Sequence, residues 1–209
     1  FSFGSIVIGL QGRARIFRKL ATPAHQQVPA ADPIVDVDLS QRPFRLIGDG
    51  GDVVTISAQA VQPRGPGNWM DPGALGSLGV GTGFSLAAKL AHPNKEVLCY
   101  YGDGAFSMTA FDMETANRFG APYIAVVGNN SAMNQIRYGQ IAKYGKQRGN
   151  VGNKLGDVPF GTFAEMLGGY GEEVRDPNEI EPALKRARES VQKNGKSAVI
   201  NVWVDPNEY

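Results

Sequence analysis

The sequence predicts an α/β protein built on a doubly wound, mostly parallel sheet in three layers. Two short apolar runs, Glu96–Tyr101 (EVLCYY) and Pro122–Gly128 (PYIAVVG), have the length and composition of buried strands. Between them, Ser107–Phe119 carries Met108, Phe111, Met113, Ala116 and Phe119 at helical spacing. Polar turns close both runs, Gly102-Asp103-Gly104 after the first and Asn129-Asn130 after the second. Strand, turn, helix, strand and turn make a βαβ unit, which places both turns at the same end of a parallel sheet.

The flanking elements follow the same alternation. Phe44–Ile47 reads as the first strand, Gly48-Asp49-Gly50-Gly51 as a strand-to-helix turn, and Asp52–Val61 as a helix. Gln62–Gly73 (QPRGPGNWMDPG) reads as a loop and a candidate pocket wall. Ala74–Leu90 is glycine-rich and then helical, ending before His92-Pro93. Glycines at 73, 76, 79, 81 and 83 are too many for a helix interior unless something packs against bare backbone. Ser131–Tyr144 is expected as a helix, Gly145–Pro159 as a mobile loop over the site, Phe160–Leu167 as a helix and Gly171–Val174 as an edge strand. Asp176-Pro177 is a helix start, with Asp at the N-cap and Pro at the first turn. That helix runs to about Lys193, stops at Asn194-Gly195, and is followed by a last buried strand, Ala198–Val204.

Residues 1–43 differ in character and are expected to be an irregular lead-in to a domain of residues 44–209. Ser5–Leu10 reads as a strand, Arg13–Leu20 as a short basic helix and Ala21–Pro33 as linker. The apolar start is followed, not preceded, by Arg13, Arg15, Arg18 and Lys19, the wrong order for a secretory signal. Residues 1–31 contain no acid, a faint likeness to a transit peptide, while the missing initiator Met points to a fragment. The net charge of +1 argues neither for nor against any partner; nucleic acid binding would need a basic face, and none stands out. No run reaches the ~18 apolar residues of a membrane span. The single cysteine, Cys99, lies inside an apolar strand; it excludes a disulfide framework and fits a reducing, cytoplasmic setting.

The two turns carry the chemistry. Asp103 and one or both of Asn129 and Asn130 can converge on one point, an all-oxygen set suited to Mg²⁺ or Ca²⁺ rather than zinc or copper. Glycines beside them let backbone N–H groups approach an anion, so a cation-bound diphosphate fits. Gly-Asp-Gly, a gap of 24 residues and then Asn-Asn resembles the signature of thiamine diphosphate enzymes. The second Gly-Asp-Gly, at 48–50, has no paired Asn at that gap and is read as a turn. No G-x-G-x-x-G opens a helix with an acid about 20 residues later, which disfavours a dinucleotide-binding reading.

What the resemblance implies is specific. Asp103, Asn130 and the Ala132 carbonyl would hold the metal, with Gly102, Gly104, Ala105 and Met133 beside the cofactor. Gly76-Ser77-Leu78-Gly79 resembles the family's Gly-x-hydrophobic-Gly, and Leu78 stands 25 residues before Asp103. Leu78 would then be the wedge that bends the cofactor, and the Gly76 carbonyl would accept from its 4′-amino group. The glutamate that activates the cofactor would come from a pyrimidine-binding domain, on the same or a second subunit, in a homo-oligomer. No catalytic side chain is assigned within this chain, which is expected to bind weakly and not to turn over alone. QPRGPGNWMDPGALGSLGVGTGF and GNNSAMNQIRYGQIAKYG are similar to the acetolactate synthase superfamily, nearest the oxalyl-CoA decarboxylase and 2-hydroxyacyl-CoA lyase group. That implies a carbon–carbon lyase or ligase acting on 2-hydroxyacyl-CoA, with Gln59, Gln62, Trp69 and Met70 near the substrate. An acetolactate synthase or glyoxylate carboligase acting on 2-oxo acids is the alternative enzyme. A catalytically silent assembly subunit is the alternative from another class.

Overall fold

The computed structural model describes residues 44–61, 63 and 66–206, together with two short strands nearer the start. Those strands, β1 (Arg13–Ile16) and β2 (Val35–Asp38), pair antiparallel, with Arg13 opposite Asp38 and Arg15 opposite Asp36. The expected basic helix over Arg13–Leu20 is therefore not formed at 13–16. Arg-Ala-Arg-Ile and Val-Asp-Val-Asp each alternate with period two, the period of a strand and not of a helix. The expectations for Ser5–Leu10 and Ala21–Pro33 lie outside the described residues.

The main sheet has six parallel strands in the order β4-β3-β5-β6-β8-β7. These are β3 (Phe44–Asp49), β4 (Trp69–Met70), β5 (Glu96–Gly102), β6 (Ile124–Asn129), β7 (Tyr170–Val174) and β8 (Ala198–Trp203). Successive residues alternate between two cores, which is why these strands read as continuous apolar runs. Leu46, Leu98, Tyr100, Ile124, Val126, Ile200 and Val202 face one side, where α1 (Asp52–Ala60) and α7 (Ile180–Asn194) lie. Ile47, Val97, Cys99, Tyr101, Ala125, Val127 and Val199 face the other. There they meet α2 (Val80–Ala91), α3 (Asp103–Thr109), α4 (Asp112–Arg118) and α6 (Phe160–Met166). Phe106 centres that second core, its ring edge-on to Tyr101, Phe160 and Phe163. The result is the three-layer, doubly wound architecture expected.

The chain leaves β3 for the edge strand β4 and then returns past β3 to β5. The winding direction thus reverses between β3 and β5, which opens a crevice beyond their carboxyl ends. β7 lies at the opposite edge, as expected. Asp176 accepts from the Asn178 N–H at 2.9 Å, with Pro177 next, so the helix start read from Asp-Pro is formed. Among the described residues no helix is long and apolar enough to cross a membrane.

Three expectations change. β4 lies inside the stretch read as loop, because two strand residues among prolines and glycines leave no periodic signal. The helix over Ser107–Phe119 is two short helices, the first beginning at Asp103 itself. Met113 and Ala116 are buried, but Met108, Phe111 and Phe119 are exposed. Helical spacing located the helices but did not separate the buried side chains from the exposed ones. The helix after the Asn-Asn turn is α5 (Asn134–Arg148), broken at Gly145 where φ is 78°. It absorbs the start of the expected loop at 145–159, and the remainder is tied down by hydrogen bonds described below.

Candidate active site

Three turns meet in the crevice. They follow β3 (Gly50, Gly51), β5 (Gly102–Gly104) and β6 (Asn130–Met133), and they line a cavity of about 350 Å³ with the first turns of α1 and α5. All nine residues expected at the cofactor, Gly76, Leu78, Gly102, Asp103, Gly104, Ala105, Asn130, Ala132 and Met133, line this one cavity. Residues separated by more than fifty positions are thus gathered by the parallel sheet, because every strand delivers its following turn to the same edge.

Asp103 is the first residue of α3 and is buried. Its Oδ1 accepts from the Gly104 N–H at 2.7 Å, and its Oδ2 accepts from the N–H groups of Asn130 and Ala132, each at 3.2 Å. Burial raises the Asp103 pKa, and these N–H groups lower it by less. The carboxylate therefore knits the β5 turn to the β6 turn while carrying a charge that burial disfavours. A bound cation would stabilise that charge.

The paired asparagines divide the work. Asn129 is buried and structural: its Oδ1 accepts from the Ser131 N–H at 3.1 Å and its Nδ2 donates to the Val158 carbonyl at 2.9 Å. Asn130 is different. Its side-chain Oδ1 is buried, and no donor among the described residues reaches it. An unmet buried carbonyl oxygen is disfavoured by about 1–3 kcal/mol, and a cation beside Asp103 would satisfy it. Among the described residues no three His, Cys, Asp or Glu side chains gather in a metal-binding group. A cation here would draw on one carboxylate with amide and carbonyl oxygens, the donor set of Mg²⁺ or Ca²⁺. The residues fit the group expected of them. The α5 N-terminus, with Asn134 and Gln135 on the cavity wall, adds a positive helix dipole where a diphosphate would lie.

The upstream Gly-Asp-Gly does a structural job. Asp49 is buried, with Oδ1 accepting from Gly79 N–H at 3.0 Å and Oδ2 from Gly81 N–H at 2.7 Å. It fixes the start of α2 and hence the turn that carries Leu78. Gly50, with φ at 132°, comes so close to the β5 turn that a Cβ there would lie 3.0 Å from the Gly102 backbone nitrogen. Gly81 presses bare backbone on the Tyr101 ring, which answers why α2 tolerates glycine.

The four substrate candidates are not brought to the cavity as a group. Trp69 donates its indole N–H to Asp71 Oδ2 at 2.7 Å and packs on one core, and Met70 packs on the other. Neither lines the cavity. Gln59 is near the end of α1, its side chain outside the described residues, as is the whole of Gln62. The α1 side of the cavity, Asp52, Val53 and Thr55, was not anticipated, whereas Gln135 and Ile136 belong to the N-terminus of the helix expected to face the pocket. The second Gly-Asp-Gly was the available signal, since it marks another strand end at the same edge.

A parallel sheet with a glycine-lined crevice at its reversal point, one buried carboxylate and one unmet amide oxygen defines a domain for a cation-held diphosphate. Residues 49–202 match the family described as "Thiamine pyrophosphate enzyme, C-terminal TPP binding domain", and the chain belongs to it. Thiamine pyrophosphate is thiamine diphosphate under its other name. The chain is similar to 2-hydroxyacyl-CoA lyase 2 of Homo sapiens, with 38% identity over 166 residues, covering 78% of this chain and 26% of that protein. The Mus musculus protein of the same name is 39% identical over the same shares. The acetolactate synthase large subunit IlvG of Mycobacterium tuberculosis is 35% identical over 169 residues, covering 81% of this chain and 30% of that protein. The chain thus spans about a quarter to a third of the length of these relatives.

Proposed function

We propose that this chain is the diphosphate-binding half of a thiamine diphosphate- and Mg²⁺-dependent carbon–carbon lyase acting on 2-hydroxyacyl-CoA. The observation that carries the reading is that one cavity is lined by Asp103 and by Asn130, whose buried Oδ1 meets no donor among the described residues. The similarity to the 2-hydroxyacyl-CoA lyases supports the substrate class. When bound, the cofactor supplies a nucleophilic carbon and an electron sink. Asp103 and Asn130, with the Ala132 carbonyl, would hold the cation. Ala105 and the first turn of α5 would offer N–H groups to the diphosphate, which would lie beside Gly104. Leu78, on the turn that Asp49 fixes, would press on the cofactor from the cavity wall and exclude water. The activating glutamate belongs to a pyrimidine-binding domain that covers the cavity in an oligomer. Exposed Leu75, beside Gly76, and exposed Met108, against Gly79, give that cover an apolar footing.

The likeness to IlvG favours a second reading, an acetolactate synthase acting on 2-oxo acids. The protein carrying this chain is to be incubated with a 2-hydroxyacyl-CoA, or with pyruvate, plus thiamine diphosphate and Mg²⁺. Release of an aldehyde one carbon shorter than the acyl group bears out the lyase. Turnover of pyruvate with none of the thioester selects the alternative.

A further inference from the structure

Ser131 stands between the two residues that would supply the amide and carbonyl oxygens to the cation. Its φ is 55°, the sole positive φ outside glycine among the described residues. A side chain in that region is disfavoured, so the conformation persists only where neighbours hold it. Each polar group of Ser131 has a partner. Its N–H donates to Asn129 Oδ1 at 3.1 Å, its carbonyl accepts from the Leu155 N–H at 2.7 Å, and its Oγ donates to Asp157 Oδ1 at 2.6 Å. Met133 N–H donates to the Asn153 carbonyl at 2.8 Å, and Ala132 bridges to Lys154. The segment 153–158 therefore grips the turn from Asn129 to Met133 along its length. Asp157 is the one acidic side chain in that grip. It lies on an exposed stretch with no place in either core.

We propose that Asp157 is a positioning residue for the cation site: through Ser131 it holds residues 130–132 in the left-handed turn that brings them onto Asp103. The inference rests on the reading of Asp103, Asn130 and Ala132 as cation ligands. Holding a ligand-bearing turn in advance and binding the cation favour the same backbone form, so each strengthens the other. Loss of the Asp157 acceptor lets the turn relax toward ordinary φ, and the cation must then restore it.

The test is Mn²⁺ affinity, read by electron paramagnetic resonance on the chain at millimolar concentration with saturating thiamine diphosphate. Asp157→Ala is expected to weaken Mn²⁺ by about tenfold or more, the usual scale for an outer partner of a metal ligand. Asp157→Asn keeps the acceptor and is expected to stay near wild type. Ser131→Gly accepts positive φ without strain, so in that background Asp157→Ala should change affinity little. A simple loss of stability would not give that dependence on background. Wild-type affinity in Asp157→Ala overturns the proposal. So does an equal loss in the serine and glycine backgrounds, which means that Asp157 does not act through Ser131. A wild-type chain that takes up no Mn²⁺ overturns the cation-site reading itself, and the inference with it.

Discussion

Two buried aspartates show what single residues contribute. Asp103 and Asp49 stand at the ends of adjacent strands, and each accepts backbone N–H groups, yet only Asp103 lines the cavity, together with Asn130. Burial raises the Asp49 pKa, and the N–H groups of Gly81 and Gly79 lower it by less. The folded state therefore holds this proton more tightly than the unfolded chain, whose value is near 3.8. Stability from this group rises as pH falls through the raised folded pKa and is lost as pH rises through it. In Asp49→Asn that dependence is absent, and one of the two N–H groups meets an amide nitrogen instead of an oxygen. The melting temperature of wild type minus that of Asp49→Asn should increase between about pH 7 and about pH 4. A difference that stays flat across this range would show that Asp49 does not titrate as its burial requires.

At the scale of elements, α2 and β5 depend on a missing side chain. A Cβ on Gly81 would meet the Tyr101 ring, would lie 2.8 Å from Cys99 Sγ and would lie 2.9 Å from Asp49 Cβ. Gly81→Ala should therefore destabilise by about 1–3 kcal/mol, the scale of overpacking a filled core, as read from urea unfolding. A neutral effect would mean that the α2–β5 contact is looser than described. The same region shows what the sequence revealed and what it hid. β5, β6 and β8 were legible because both their faces are buried, which leaves unbroken apolar runs. Asp103, Asn130 and Leu78 were legible because turn chemistry and spacing mark strand ends. The two-residue β4 was not, since its hydrogen bonds come from position in the sheet and not from pattern. Met108, Phe111 and Phe119 marked a helix without marking its buried face, because an apolar side chain at helical spacing reads the same whether it meets the domain's own core or lies on its surface. The α1 wall of the cavity was missed because its Gly-Asp-Gly lacks a paired asparagine, while its position at the same sheet edge is a matter of topology.

For the molecule as a whole, the reversal of winding between β3 and β5 is the decisive feature. It collects three turns that are far apart in sequence and leaves a cavity whose glycines approach closely and whose lining holds the buried Asp103 together with Asn130. A metal-dependent half-site is expected. The most direct test is calorimetric titration of thiamine diphosphate into the chain with Mg²⁺, then with excess chelator, with Asp103→Ala as control. Binding heat present with Mg²⁺, abolished by chelator and absent in Asp103→Ala is the predicted result. Binding of equal strength with chelator, or in Asp103→Ala, would contradict a cation held by Asp103 and Asn130.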